Sequence, residues 1–184
     1  DNMILHYRLA ALIYPLNTKL VVEAHQNHQF YMPTEAMHRL GVLLSQEGKM
    51  NEAIAVWKKI AKYDSYYLEE KYFVKAREYY DLSDYKTAAQ ILEQAYALDS
   101  TNPDVWRRLG GTYYSMGKYE EVLPLLDKLY STYSTSTTVS FGYALVYDKL
   151  HEKQKALEWA QKTLDLNSTH IPAQDMIARL RKNR

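Results

Sequence analysis

The chain is 184 residues long, with 47% hydrophobic and 24% charged residues, so it carries enough apolar material for a packed core and too much for wholesale disorder. Its 23 Lys and Arg against 22 Asp and Glu give a net charge of +1, which does not suit a dedicated nucleic-acid binder with its large basic excess. No cysteine is present, so disulfide scaffolds, thiol catalysis and cysteine-ligated zinc are excluded.

Glycine occurs 6 times and proline 5, while tyrosine occurs 18 times; so few turn residues predict an all-α chain. No apolar run reaches the length that spans a bilayer, so no transmembrane segment is expected. The opening Asp1-Asn2-Met3-Ile4 does not read as a signal peptide, for want of a basic stretch and a small-residue cleavage site.

In chain order, Met3 to Tyr14 reads as an apolar-rich helix stopped by Pro15, and Asn17 can cap a second helix from Thr18 to about Asn27. Together they predict an irregular helical hairpin over residues 1–33. A regular repeat follows. A small residue recurs at Gly41, Ala76, Gly110 and Ala144, at spacings of 35, 34 and 34. Twelve residues after each come Ala53, Ala88, Val122 and Ala156, and four beyond those Trp57, Leu92, Leu126 and Ala160. This register divides 34–170 into four units, 34–67, 69–102, 103–136 and 137–170, with Leu68 as one extra residue.

Each unit reads as two helices, and the third shows the pattern best. Asn102-Pro103 supplies an N-cap and a proline at the first helical position. Trp106, Leu109, Gly110 and Tyr113 then fall on one helical face, Ser115-Met116-Gly117-Lys118 makes a turn, and Val122, Leu125, Leu126 and Leu129 form a second stripe. The small residue of each unit is expected to let the second helix lie close against the first. Pro124 falls near the start of a second helix, where few backbone bonds are lost. The polar stretch Tyr130 to Thr138 keeps the register at both ends and reads as a helix end, a turn and the next helix start. Pro172 to Arg181, within 171–184, predicts a closing helix that buries Ala173, Met176, Ile177 and Leu180.

No constellation of residues nominates chemistry. His25 and His28 have a metal-compatible spacing but no third ligand in pattern, and His6, His38, His151 and His170 are scattered over different units. No serine sits in a nucleophile-elbow context and no glycine-rich loop cradles phosphate. Neither catalytic activity, a metal nor a cofactor is expected. Asn167-Ser168-Thr169 matches the N-glycosylation pattern, which matters only on a secretory route.

Four two-helix units in one register resemble the tetratricopeptide repeat, whose unit is 34 residues. The residues that carry the resemblance are Leu40, Gly41, Leu44, Ala53 and Trp57, then Ala76, Tyr79, Ala88, Leu92 and Ala95, then Trp106, Leu109, Gly110, Tyr113, Gly117 and Tyr119, and last Tyr143, Ala144, Tyr147, Ala156 and Leu166. It implies a right-handed alpha-alpha superhelix, a solenoid in which the first helix of every unit lines the concave side. It also implies a non-enzymatic scaffold or adaptor that holds a protein or peptide segment in that groove, and the balanced charge adds the expectation of no nucleic-acid partner.

In the family frame the residues expected to bind the partner are Phe73, Arg77, Tyr80, Arg107, Tyr114, Phe141 and Leu145, a mixture of aromatic, aliphatic and arginine side chains of the kind that dominates interface hot spots. The clamp with which many such domains grip a chaperone's terminal carboxylate is not expected, because its positions here hold His38, Val42, Arg77, Asp104 and Arg108, and only Arg108 fits. Two alternatives stay open: a self-associating structural subunit, a homodimer through the array, and a secretion-type holding chaperone, for which a more acidic chain with an apolar groove would be expected.

Overall fold

A computed structural model describes residues 32–64 and 66–182. The hairpin expected over residues 1–33 lies outside these but for its last two residues, as do His6, His25 and His28. Among the described residues all regular structure is helical: α1 (Met32–Gln46), α2 (Met50–Tyr63), a π-helical turn (Glu69–Phe73) that runs straight into α3 (Val74–Asp81), α4 (Tyr85–Leu98), α5 (Pro103–Ser115), α6 (Tyr119–Thr132), α7 (Thr137–Lys149), α8 (Lys153–Leu166) and α9 (Ile171–Lys182).

Among the described residues the same turn recurs four times. Gly48, Ser83, Gly117 and His151 have φ of 78°, 62°, 75° and 61°, each just after a first helix. The next residue's N–H reaches back five positions, Lys49 to Leu44, Asp84 to Tyr79, Lys118 to Tyr113 and Glu152 to Tyr147, each at 2.9 Å. This Schellman arrangement satisfies the last carbonyls of one helix and turns the chain into the next. Other helix ends are closed by side chains: Asn102 accepts from the Asp104 N–H at 2.9 Å, with Pro103 at the first helical position, and Ser136 accepts from the Val139 N–H at 3.4 Å. Pro124 sits inside α6, which continues to Thr132.

The extra residue of the repeat register has a structural counterpart. The Val74 N–H bonds to the Glu69 carbonyl, five residues back, so Leu68 is accommodated by widening one turn of helix instead of by a loop.

The described residues form two compact bodies, one within Asp1–Arg77 and Gln94–Ser100, the other of Glu78–Glu93 and Thr101–Arg184. In the first, α1 packs on α2 through Leu40, Leu44 and Ala53, with Trp57 laid over Gly41, where a Cβ would overlap the indole. Buried Asp64 accepts from the Thr34 hydroxyl at 3.1 Å and from the Tyr66 N–H at 3.0 Å, tying the end of α2 to the start of α1. In the second, α5 packs on α6, α6 on α7, α7 on α8 and α8 on α9. Ala144, Ala156 and Ala160 are fully buried beside Met176, Ile177 and Leu180, so α9 closes the apolar flank of the pair before it. At Gly110 the expected close approach is looser than the sequence suggests: an added Cβ would lie 3.8 Å from Leu125 and Val122, an ordinary contact distance.

Candidate functional site

The second body contains a cleft of about 700 Å³ walled by α5, α6 and α7. The helical period builds it. On α5, Arg107, Gly111 and Tyr114 recur at spacings of four and three and share one face; on α7, Thr138, Phe141, Gly142 and Leu145 do the same. The floor is the apolar stripe of α6, Val122, Leu125, Leu126 and Leu129, all buried.

The cleft exists because its walls lack side chains where a neighbouring helix would otherwise be filled in. A Cβ at Gly111 would meet nothing within 4 Å, whereas one at Gly142 would come within 3.1 Å of Leu126. Gly111 therefore opens the cleft, and Gly142 lets α7 approach the floor.

The rim is polar. Arg107 donates to Asp104 at 2.6 Å. The Tyr114 ring packs edge-on against Tyr119 with centroids 5.3 Å apart. Burial, with Tyr119 and Asp148 nearby, pushes its hydroxyl above the ordinary tyrosine range, so it stays protonated and able to donate. His170 lies 4.7 Å from the Phe141 ring, centroid to centroid, and its Nδ1 accepts the Ala173 N–H at 3.2 Å, capping α9. With Nδ1 occupied as an acceptor, the neutral ring carries its proton on Nε2.

Of the residues expected to bind a partner, Arg107, Tyr114, Phe141 and Leu145 come together on this cleft. Tyr80 does not line it; its hydroxyl shares a 2.7 Å hydrogen bond with Ser115 Oγ and its ring packs edge-on against Tyr85. Arg77 is exposed and belongs to the first body. Phe73 corrects the expectation: it is only 4% exposed, so it offers no aromatic surface to a partner. His170, Gly142 and Val146 also line the cleft although the sequence reading does not single them out for it. The one available signal was at His170, which directly precedes Ile171-Pro172 and so stands where a helix cap is needed.

The first body holds a separate polar cluster. Glu35 accepts from Arg39 at 2.8 Å and from Lys71 at 3.2 Å, and His38 Nδ1 shares a 2.8 Å hydrogen bond with the Tyr67 hydroxyl. Burial and then the Lys71 charge hold the His38 imidazole below its ordinary value. Among the described residues no group of three or more His, Asp or Glu side chains is placed to hold a metal ion, and no helix is long and apolar enough to cross a membrane.

Comparison with known proteins agrees with this architecture. Family profiles described as tetratricopeptide repeat match residues 34–67 and 79–129. No curated protein sequence matches the chain. Among solved structures, MamA 41-end from Desulfovibrio magneticus RS-1 is 19% identical with a TM-score of 0.58, covering 80% of this chain and 82% of that one. A MamA RS-1 ArsTM double mutant gives 20% and 0.59, covering 82% and 85%. The first TPR of Spaghetti (RPAP3), bound to HSP90 peptide SRMEEVD, gives 15% and 0.55, covering 61% of this chain and 92% of that one. At these identities the likeness is one of fold.

Proposed function

We infer from its membership of the tetratricopeptide-repeat family that this chain is a protein-interaction module, a scaffold or adaptor without catalytic chemistry of its own. A similar fold, the first TPR of Spaghetti, holds a peptide, which supports reading the present chain as a peptide or protein binder. The observation that carries the reading here is the cleft: about 700 Å³ of open volume over an apolar floor, with Tyr114, Phe141 and Leu145 on its walls. Such a surface loses water gladly, and aromatic anchors around a pocket are where binding energy concentrates. The partner segment places an apolar side chain in the cleft and runs along α5 and α7.

Site-directed photocrosslinking tests this. A photoreactive phenylalanine at Thr138, exposed on the cleft rim, should capture a partner protein, and the same group at Glu158, exposed on α8 and away from the cleft, should not. Capture from Glu158 alone would move the interface off the cleft. A second copy of this chain as the species captured at Thr138 would favour the homodimer over the adaptor.

A further inference from the structure

Resting on the reading of the cleft as a binding site, we propose that its occupant is an extended, uncharged segment of a partner protein. The segment sets a bulky apolar side chain on the floor and turns main-chain carbonyls to Tyr114 and His170. Charge excludes two alternatives. Among the described residues the charged side chains that line the cleft are Asp104 and Arg107, and they answer each other at 2.6 Å. The lining is therefore electrically balanced, and neither an acid nor a base brought into it meets an unpaired counter-charge. A ligand charge buried there would lose its hydration with nothing to replace it.

Hydrogen bonding decides between an extended segment and a helix. Tyr114 lines the cleft, and its hydroxyl has no hydrogen-bond partner among the described residues. His170 lines it too and carries its proton on Nε2, because Nδ1 accepts the Ala173 N–H; Nε2 has no partner among the described residues either. Two neutral donors thus stand beside the apolar floor of Val122, Leu125, Leu126 and Leu129. A helix laid there could not answer them, because its carbonyls are already bonded within the helix. An extended segment keeps its carbonyls unbonded and sends successive side chains to opposite faces, so it can accept from both donors while an apolar side chain meets the floor. A carboxylate could accept from them as well, but its charge would stay uncompensated. The floor supplies the affinity and the donors fix the orientation.

The test uses the full chain and four fluorescent peptides, acetylated and amidated so that no terminal charge exists. The first carries a central Leu-Phe pair in a threonine and glutamine frame, which favours extended backbone. The second and third replace the residues flanking the pair with glutamates or with lysines. The fourth is an uncharged Leu-Phe peptide locked as a helix by a hydrocarbon staple. Fluorescence anisotropy at pH 8 should show the first binding at least about fivefold tighter than each of the others, with less than about twofold change between about 50 and 500 mM salt. Tyr114→Phe, which removes only the hydroxyl, should weaken the first peptide by about threefold or more and leave the stapled helix unchanged. His170→Ser, which keeps an acceptor for the α9 cap but loses the ring donor, should do the same. Gly111→Leu, which fills the cleft, should weaken the first peptide by about tenfold. If the stapled helix binds as tightly as the first peptide and Gly111→Leu weakens both, the extended occupant is wrong and the cleft reading survives. A glutamate or lysine peptide that binds more tightly than the first overturns the uncharged occupant. If the first peptide binds and Gly111→Leu leaves it unchanged, the cleft reading itself fails. No binding of the first peptide to the wild-type chain overturns the proposal, while capture from Thr138 reports separately on the cleft.

Discussion

His151 occupies a left-handed turn position, φ 61°, where the equivalent residues Gly48 and Gly117 are glycine. A residue with a Cβ pays about 1 kcal/mol or more to stand there. His151→Gly should therefore raise the stability of the chain by about 1 kcal/mol, read as an increase in the urea midpoint without change in slope. An unchanged or lower midpoint would show that the turn is not strained. The polar cluster around His38 makes a second prediction. Its folded pKa is lowered from 6.5 by burial and by Lys71, partly opposed by Glu35, so the folded chain binds this proton less readily than the unfolded chain. The stability that this contributes is complete above about pH 6.5 and is lost as pH falls through the depressed folded value. Glu35 is pushed up by burial but more strongly down by the bonds from Arg39 and Lys71, so it adds a loss in the same direction at lower pH. Urea unfolding between pH 7.5 and 5 should show falling stability in the wild type and a flatter profile in His38→Gln; parallel profiles would contradict the assignment. At this scale the sequence was legible where chemistry is local, as at Asn102-Pro103, and silent where burial decides, as at Phe73. No neighbouring residue announces that Phe73 is covered.

The π-helical turn at Glu69–Phe73 is the clearest case at the scale of an element. The 35-residue first spacing marks an insertion next to Leu68, but spacing alone does not distinguish a longer loop from a widened helical turn. The structure puts it in the helix because both sides of the insertion are anchored. Tyr67, 1% exposed, bonds to His38 and packs edge-on against Tyr72, itself 9% exposed. Deleting Leu68 would restore a regular α-helix and the 34-residue period, yet rotate Tyr67 by about 100° away from its partners. The deletion is expected to destabilise the chain by more than about 2 kcal/mol, from lost core packing, in equilibrium unfolding. Equal or greater stability would mean that the π turn is merely tolerated. The two helices per repeat and their turns were readable because caps and small residues act within a few positions. The cleft was not, since Val122, Leu125, Leu126 and Leu129 read as ordinary core and only three-dimensional placement shows that they also line a cleft beside Gly111.

For the whole molecule, the family fixes what kind of protein this is and leaves open what it binds, because one helical-repeat scaffold carries many unrelated surfaces. The cleft of this chain is shaped by where side chains are missing. Gly111 is exposed in the middle of α5, has a helical backbone, and would admit a Cβ with no neighbour within 4 Å. Replacing it with leucine removes the entropic penalty of a helical glycine, roughly 0.5–1 kcal/mol, so folding should be preserved or improved while the cleft is filled. Binding and stability are thereby separated in one substitution. The most direct measurement is isothermal titration of the partner captured at Thr138 against wild type and Gly111→Leu, alongside the unfolding curves of both. A cleft that binds its partner predicts affinity weaker by at least about tenfold for Gly111→Leu, equivalent to about 1.4 kcal/mol, at equal or higher stability. Equal affinity for the two proteins would contradict it.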